Sequence, residues 1–508
     1  MKQSYAFLYP TWHENMKKAL ILTLDMGTSS VRAMLFDTRG RALPNAEVQS
    51  AYAQNTTADG GVQTDPEALL ALTVSCLKQL IRKTDNKTRG RIVGVGVSCF
   101  WHSLVGVGEN GLAVTPLFSW ADLRATAQAE KLKTEVDAAG YHARTGCVLH
   151  PCYWPAKLRW LQETQPDLFG KTRLWMSFGE YLQSRLFGST TCSLSMASGT
   201  GLLNQNTKEW DPETLSKIPI ALCQLNPLNA KDAPAIGLAT EYASALGLLK
   251  GLPWFPASGD GACSNAGSGA VDAGRIAINV GTSGAIRVAV KADIINIPDK
   301  LFCYRVDDER FLVGGAFANG GNTYAWAEKT LQIGDRKTAA RDAAALSPDG
   351  HGLTILPFWA GERSPGWHTG ARAAIVGMNL HTTPAEILRA SLEAIAFQFA
   401  NVYDILIAQF PSATQIVASG GALVGDPAWA QIMADAMGAP ITTSRVGEAT
   451  SRGAALLAFK ALGQIADLSE VPAFLGKTYT PDSKTHEIYT KARARQAALY
   501  AEVLDAKP

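Results

Sequence analysis

The sequence lacks closely paired cysteines, long apolar runs and a surplus of either charge. Its eight cysteines are scattered over 508 residues without a CxxC motif, which argues against a disulfide framework and predicts reduced thiols. The nearly uncharged apolar run at residues 92–107 is shorter than the ~20 apolar residues needed to cross a bilayer. We therefore expect a cytoplasmic protein that does not span a membrane.

Charge and length exclude further classes. The formal net charge is +2, with basic and acidic residues mixed along the chain, so neither a nucleic-acid-binding face nor a membrane-binding face is expected. The first 18 residues lack the apolar segment of a signal peptide and are interpreted as an N-terminal extension. A chain of this length exceeds what one core usually supports, which predicts two domains. Cys147, His150 and Cys152 raise the alternative of a zinc site, although no fourth ligand is evident.

The chain does contain a glycine-flanked carboxylate at mid-sequence. Asp260 stands between two glycines within the small-residue run 257–270, where a ligand could approach closely. A few residues later an apolar strand pattern ends at the Gly-Thr-Ser-Gly turn 281–284, whose N–H groups and hydroxyls could hold phosphate. A surface turn and an ordinary hairpin are the alternatives for these two motifs. Together the motifs make Asp260 the first candidate for chemistry.

The same pattern of strand and turn occurs near the start of the chain. Asp25-x-Gly-Thr-Ser and Asn279-x-Gly-Thr-Ser each follow an apolar strand pattern and precede another, about half the chain length apart. Such a repeat predicts two similar domains that face each other across a cleft, with one turn from each half gripping a polyphosphate. Only Asp25 offers a charged metal ligand, because the second copy carries Asn279. Chance similarity of two hairpins is the alternative.

Candidates for substrate binding follow a predicted buried strand in the first half. Ligands of open α/β sheets bind at the carboxyl ends of strands, which is where Trp101 and His102 fall. A little further on, Trp120 could place a flat apolar face against a sugar ring while Asp122 and Arg124 bond to its hydroxyls. The alternative is a buried tryptophan beside an ordinary ion pair.

Three later stretches bear on the cleft. A strand pattern ends at Gly420 and Gly421, a glycine pair that admits a planar base close to the backbone, and the next helix carries Gln431. The loop 357–365 is too polar for core and too aromatic for a plain linker, so we interpret it as cleft wall. The segment 448–457, with one glycine and three alanines, predicts a helix that packs very closely.

Together these stretches resemble the FGGY family of carbohydrate kinases, which belongs to the same fold group as actin and Hsp70. The resemblance covers nearly the whole chain from residue 19, and its most specific marks are LTLDMGTSSVRAMLFD, SGDGACSNAG, NVGTSGAIR and SGGALVGDPAWAQIMAD. Segment 373–393 fits the second signature of the family, whereas the first is met in part, with Trp154 where a small residue is usual. Within the family the likeness is greatest to the gluconokinases, from which Gly179 departs where lysine is expected.

The resemblance implies a fold and a division of the chain. The implied fold is α/β, the two-domain actin/Hsp70/sugar-kinase (ribonuclease H-like) fold, with duplicated mixed-sheet domains around a central cleft. The implied segments are an N-terminal extension (1–18), an N-terminal kinase domain on the sugar side (19–270), a C-terminal kinase domain on the nucleotide side (271–480) and a C-terminal helix (481–508).

The resemblance also implies the roles of individual residues. Asp260 would be the general base that accepts the proton of the attacking sugar hydroxyl, and Asp25 would help to hold Mg²⁺. The residues implied to bind ATP, at its phosphates or around adenosine, are Gly27, Thr28, Ser29, Arg32, Gly281, Thr282, Gly420, Gly421, Ala422 and Gln431. Those implied to hold the sugar are Trp101, His102, Trp120, Asp122 and Arg124.

The implied activity is ATP-dependent phosphorylation of a small-molecule sugar or sugar acid at a terminal hydroxyl, with gluconate to 6-phosphogluconate as the leading case. A gluconate carboxylate needs a cationic or strong-donor partner, for which Arg124, His102, His150 and Arg363 are candidates. A xylulokinase or other pentulose kinase remains an alternative, as does an actin- or Hsp70-like ATPase switch. A homodimer is compatible with the sequence.

Overall fold

The computed structural model describes residues 18–505, so the expected N-terminal extension lies outside the described residues except for Lys18. Two mixed sheets organise the rest of the chain. The first has five strands in the order β14-β6-β1-β2-β3, and the second has seven in the order β17-β18-β16-β15-β21-β22-β23. Each sheet covers its own hydrophobic core.

The first sheet and its surroundings are built from residues 20–268. The strands are β1 (Leu20–Met26), β2 (Ser30–Asp37), β3 (Ala42–Ala51), β4 (Asn55–Thr56), β5 (Val62–Thr64), β6 (Ile92–Cys99), β7 (Val105–Val107), β8 (Leu117–Phe118), β9 (Leu174–Met176), β10 (Cys192–Ser193), β11 (Leu203–Asn204), β12 (Glu209–Trp210), β13 (Leu228–Asn229) and β14 (Ser258–Gly259). The helices are α1 (Pro66–Lys83), α2 (Asn86–Arg89), α3 (Thr126–Glu135), α4 (Ala138–Thr145), α5 (Trp154–Thr164), α6 (Pro166–Lys171), α7 (Phe178–Phe187), α8 (Leu194–Ser198), α9 (Pro212–Leu215), α10 (Thr240–Ala243) and α11 (Asp260–Ser268).

The second sheet and its surroundings follow from residue 275. The strands are β15 (Arg275–Val280), β16 (Gly284–Lys291), β17 (Phe302–Arg305), β18 (Arg310–Phe317), β19 (Thr354–Leu356), β20 (Ala374–Val376), β21 (Gln415–Ser419), β22 (Ile441–Ser444) and β23 (Leu475–Tyr479). The helices are α12 (Asn322–Leu331), α13 (Arg336–Ala344), α14 (Pro384–Gln409), α15 (Gly421–Val424), α16 (Pro427–Met437), α17 (Ala449–Ala461) and α18 (Ser483–Tyr500).

The two sheets repeat one topology. In the first, β1 pairs antiparallel with β2 and parallel with β6, and these continue to antiparallel β3 and parallel β14. In the second, β15 pairs antiparallel with β16 and parallel with β21, which continue to β18 and β22 in the same senses. The repeat predicted from the two Gly-Thr-Ser turns is therefore confirmed. It gives the expected two-domain fold of actin, Hsp70 and the sugar kinases.

Helices α11 and α17 cross at very short range between the halves. A Cβ atom at Gly267 of α11 would overlap the carbonyl of Ala449, and one at Gly453 of α17 would overlap the carbonyl of Cys263. The helix predicted to pack closely therefore does so. Although α17 follows strand β22 of the second sheet, it packs on β1 and β6 of the first. This crossing carries the start of α11, and with it Asp260, to the junction of the two halves.

Helix α14 is long and apolar enough, by length and composition, to cross a membrane. In the fold 72% of its most apolar stretch is buried, and its apolar residues belong to the core of the second sheet. Thr383 and Glu386 form the capping box at its start, as the sequence predicts. Burial on this scale identifies α14 as a core helix of the second half.

Candidate active site

A cavity lies where the two halves meet. Its wall combines residues from the ends of β1, β6 and β15, the start of α11 and the loop after β19. The side chains that bear on its chemistry are those of Thr28, Trp101, His102, Trp120, Asp260, Asn279, Ser283, Arg287, Tyr304 and Arg363. Among the residues described by the structure, Asp260 is the only carboxylate in this wall.

Both glycine turns border this one cavity. In the first turn the N–H of Gly27 donates to the carbonyl of Ser30 at 2.9 Å, and Thr28 reaches the cavity. In the second turn the N–H of Gly281 donates to the carbonyl of Ser283 at 3.0 Å, and Ser283 reaches the cavity. One turn from each half thus faces a common space, as the repeat predicts.

Asp260 is the first residue of α11 and opens onto the cavity although it lies deep in the molecule. Its Oδ1 accepts a hydrogen bond from the N–H of Gly261 at 2.8 Å. Burial raises the pKa of this carboxyl, and the positive charge of Arg287 opposes the rise. A carboxylate with a raised pKa, facing a cavity, is suited to accept a proton near neutral pH.

The structure gives a different reason for the glycines beside Asp260 from the close approach of a ligand that the sequence suggests. A Cβ atom at Gly259 would overlap the indole of Trp101, and one at Gly261 would lie 2.6 Å from Cζ3 of the same ring. The neighbour that approaches the backbone is therefore Trp101, whose Nε1 donates to the carbonyl of Ser195 at 2.8 Å. The absence of side chains lets the indole pack against the start of α11 and fixes the position of Asp260.

We expect Gly259→Ala to disturb this packing. The backbone of Gly259, with φ −63°, suits any residue, so the cost comes from the overlap with Trp101 alone. Overpacking of this kind costs about 1–3 kcal/mol, and displacement of the indole should also lower kcat/KM. Thermal unfolding and steady-state rates check both effects. Gly170→Ala, at a helical site with open space, is the matched control; a Gly259→Ala enzyme indistinguishable from that control would contradict the expectation.

Asp25 ends strand β1 and is buried. Its Oδ1 has no hydrogen-bond partner. Burial raises the pKa of Asp25 to about 7, and the neighbouring charge of Asp260 adds to the rise. An orphaned carboxylate oxygen beside a second carboxylate is a donor set that fits Mg²⁺, which takes oxygen ligands and would neutralise both charges.

Arg32 lies on β2 and is held by acidic side chains. It forms ion pairs with Glu448, just before α17, and with Glu47 on β3, whose Oε1 is 3.3 Å from Nε. Arg32 is not part of the cavity wall in this structure. Its expected contact with the γ-phosphate stays a prediction.

The expected adenosine residues surround the second glycine turn. Gly420 has φ +92°, and a Cβ atom there would overlap the carbonyl of Val280 at the end of β15. Gly421 faces open space. Ala422 packs close to Gly321, because a Cβ atom built on Gly321 would lie 2.7 Å from the Cβ of Ala422. These contacts bring the glycine pair against the turn at Gly281 and leave room beside it for a flat ligand.

Gln431 has other contacts. Its Nε2 donates to Oδ1 of Asp435 at 2.9 Å and to the carbonyl of Thr480 at 2.8 Å. These partners lie on α16 itself and after β23. The role of Gln431 beside adenosine stays a prediction.

The aromatic candidates form the far wall of the cavity. Trp101 packs on Tyr304 with ring centroids 4.8 Å apart, and His102 meets Tyr304 edge to face at 5.6 Å. His102 also places Nδ1 2.5 Å from the carbonyl oxygen of Gly199. Burial lowers the pKa of His102 well below its usual value, so the ring is neutral. Trp101, His102 and Trp120 therefore line the cavity as the sequence predicts.

Asp122 and Arg124 bond to each other and to their surroundings. The Oδ2 of Asp122 is 2.6 Å from Nη2 of Arg124 and accepts from the N–H of Val62 at 3.1 Å. Arg124 also lies over the ring of Trp160, 4.6 Å from its centroid. Neither side chain is in the cavity wall. This geometry favours the ion-pair alternative for the two residues and leaves their substrate contact a prediction.

Helix α5 supports the sugar side of the cavity. The ammonium of the buried Lys157 donates to the carbonyls of His102 (3.2 Å), Ser119 (2.7 Å) and Cys152 (2.8 Å). Trp154, the residue that departs from the first signature, donates from Nε1 to the carbonyl of Ser103 at 3.0 Å. The helix thus ties together the loops that carry His102 and Trp120.

The departure at Gly179 also has a packing reason. A Cβ atom there would lie 2.5 Å from the Cβ of Ala257 and 3.4 Å from that of Cys99. The first turn of α7 therefore packs against the ends of β6 and β14 too closely for a lysine side chain.

Sequence reasoning missed Arg287 and Tyr304 as cavity residues. Arg287 lies on β16, directly after the second glycine turn, and its guanidinium borders Gly261 beside the candidate base. The sequence feature that could have identified Arg287 is a charged residue in the middle of the apolar strand pattern GAIRVAVK. Tyr304 lies on β17 and contacts both Trp101 and His102, a long-range pairing that no local pattern indicates.

Metal-binding groups elsewhere have other partners. The one cluster found among the described residues is Asp349, His351 and Glu393. Its acids are paired with Arg495 and Arg389, and Nδ1 of His351 accepts the N–H of Leu353, so its Nε2 carries the proton toward Glu393. This charge balance disfavours a cation.

The histidine of the zinc alternative also has protein partners. Nδ1 of His150 accepts the N–H of Cys152 at 3.2 Å, and its ring packs on Trp367.

The duplicated fold, the two facing turns and the buried acid define a phosphotransferase of the sugar-kinase class. Residues 20–267 match the N-terminal domain of the FGGY family of carbohydrate kinases, and residues 276–462 match its C-terminal domain. The chain belongs to this family and is an ATP-dependent carbohydrate kinase.

Two kinds of relative are about equally similar to the chain. It is 27% identical over 474 residues to the gluconokinase of Bacillus subtilis strain 168, covering 90% of this chain and 91% of that one. Among solved structures, a gluconate kinase from Lactobacillus acidophilus matches with a TM-score of 0.88 and 30% identity, over 96% of this chain and 98% of that one. A xylulose kinase from the same organism matches with the same TM-score, identity and coverage. The family is therefore shown, and the acceptor sugar is left open.

Proposed function

We propose that this protein phosphorylates a sugar acid at a terminal hydroxyl, with gluconate to 6-phosphogluconate as the reaction. The observation that carries the proposal is a buried cation in the cavity wall. Among the described residues Arg363 has no carboxylate within ion-pair distance, whereas Arg287 borders Gly261 at the reacting end, where phosphate is transferred. A neutral sugar would leave Arg363 unpaired, whereas a carboxylate on the substrate compensates its charge. The likeness to gluconokinases supports the same choice.

Asp260 acts as the general base in this proposal. It takes the proton of the terminal hydroxyl as the oxygen attacks the γ-phosphorus and the bond from that phosphorus to the leaving ADP oxygen breaks. The raised pKa that burial causes suits Asp260 to that step. The two glycine turns, which present Thr28 and Ser283 to the cavity, face the phosphates, and alignment by two closing halves supplies most of the acceleration. The indole of Trp101, which packs on the glycines beside Asp260, excludes water from the reacting end.

Asp25 is the residue we assign to Mg²⁺. When bound, the ion neutralises charge on the phosphates of ATP. In this proposal the glycine pair at Gly420 and Gly421, with Ala422, borders adenosine. The proposal also keeps the division into an N-terminal domain (19–270) and a C-terminal domain (271–480). A cytoplasmic location agrees with the expected reduced thiols.

A pentulose kinase is the second candidate, because the xylulose kinase from Lactobacillus acidophilus is as similar in structure as the gluconate kinase. Release of ADP with gluconate, xylulose, ribulose and glycerol, measured side by side, separates the two. We expect kcat/KM for gluconate to exceed that for each neutral sugar by about 10²-fold, the discrimination expected of a charged hydrogen-bond partner. Preference for xylulose would overturn the proposal. The ATPase-switch alternative is set aside by membership of a carbohydrate-kinase family.

A further inference from the structure

Two cations in the cavity wall have no carboxylate partner. The Nε atoms of Arg287 and Arg363 are buried and make no hydrogen bond. Among the residues that the structure describes, neither guanidinium lies within ion-pair distance of an acid, since Asp260 acts on both from further away. Buried charges are normally paired, so an anionic group is missing from this wall.

Arg363 is held in one orientation by two indoles. Its Cζ lies 5.4 Å from the ring centroid of Trp120 and 5.6 Å from that of Trp367. Trp367 is itself fixed, because its Nε1 donates to the carbonyl of Lys300 at 3.1 Å. A guanidinium held against ring faces can still present N–H groups along its edge, and such an edge matches a carboxylate with two parallel hydrogen bonds.

The two arginines have different neighbours in the cavity wall. Arg287 borders the reacting end, because a Cβ atom on Gly261 would lie only 3.0 Å from its Cζ. Arg363 lies among Trp120, Trp367 and the neighbouring His150. A straight-chain sugar acid carries its carboxylate and its terminal hydroxyl at opposite ends, so it fits with the hydroxyl at Asp260 and the carboxylate at Arg363.

The other candidates for the carboxylate have weaker claims. Arg124 is paired with Asp122 and lies outside the cavity wall. His102 and His150 are neutral, because burial and then the charge of Arg363 lower the pKa of each well below its usual value. Neither neutral ring offers the charge that a carboxylate needs.

We propose that Arg363, oriented by Trp120 and Trp367, binds the carboxylate of the substrate and sets the preference for sugar acids over neutral sugars. This inference rests on the proposed function. It assigns Arg287 to the reacting end, where it would serve acids and neutral sugars alike.

Binding of gluconate and of glucitol, which carries CH₂OH in place of the carboxylate, tests the inference. Dissociation constants are measured by calorimetry for the wild-type protein, Arg363→Gln and the exposed control Arg39→Gln. We expect Arg363→Gln to weaken gluconate about 10²-fold, down to the affinity for glucitol, and to leave glucitol within about twofold. Arg363→Lys keeps the charge without the planar fork, so we expect a loss of about tenfold for gluconate alone.

Several results would overturn the inference. Equal weakening of both ligands by Arg363→Gln would show a packing role, and unchanged gluconate binding would place the carboxylate elsewhere. If Arg363→Gln does not fold, as judged by its melting temperature, Arg363→Lys carries the same comparison. If the wild-type enzyme phosphorylates gluconate and the Arg363 variants still prefer gluconate to glucitol as strongly as the wild type does, this inference is wrong and the proposed function stands. A wild-type enzyme that turns over only neutral sugars rejects the proposed function as well.

Discussion

We expect Asp260→Asn to lower kcat by about 10²–10⁴-fold, the range expected when a general base is removed, and to leave nucleotide binding close to that of the wild type. The reason is that the amide keeps the shape of the side chain and can still face the cavity, yet it cannot accept the proton of the sugar hydroxyl. Steady-state kinetics with gluconate and binding of an ATP analogue measure the two effects separately.

A nearby acid outside the cavity provides the control for this variant. Asp272, in the loop that follows α11, is partly exposed, forms an ion pair with Arg275 and lies outside the cavity wall, so Asp272→Asn should leave kcat unchanged. The acid limb of the kcat/KM profile should also reflect Asp260, because burial raises the pKa of its carboxyl and activity falls as the pH drops through that value. Turnover by Asp260→Asn within a few-fold of Asp272→Asn would remove Asp260 from the mechanism.

Asp25→Asn should separate activity from stability. We expect kcat at limiting Mg²⁺ to fall by about 10²-fold or more, because a carboxylate ligand of the ion is lost. We expect the free energy of unfolding at pH 8 to rise by about 1–2 kcal/mol, since the variant no longer buries an unpaired charge.

The pH dependence of this stability gain follows from the pKa of Asp25. Burial raises it from 3.8 to about 7, so between these values the folded state binds more protons than the unfolded state. The charged side chain therefore costs stability increasingly as the pH rises through this window, and the cost is full above pH 7. Melting temperatures of wild type and Asp25→Asn should converge near pH 4 and diverge at pH 8. A constant difference, or a variant less stable at pH 8, would contradict the assignment of this pKa to Asp25.

Local patterns in the sequence were sufficient for the duplicated architecture. The apolar runs before Asp25 and Asn279 are buried strands, and each glycine turn leads into an antiparallel partner. A run of β-branched and aliphatic residues followed by Gly-Thr-Ser is compatible with few local structures other than a buried strand and a turn. The pattern therefore predicts these elements directly. The run of small residues after Asp260 did not itself predict helix α11, because such a run indicates close approach rather than a particular secondary structure.

The sequence alone thus determined that two similar halves would each present a glycine turn and that an acid would stand between them. Only the tertiary structure decided which side chains enter the cavity. Asp122 and Arg124 turn to each other, Arg287 and Tyr304 enter from the second sheet, and Trp101 occupies the space beside the glycines of Asp260. The physical reason is that secondary structure depends on neighbours along the chain, whereas the surroundings of a side chain also depend on elements that are distant in the sequence.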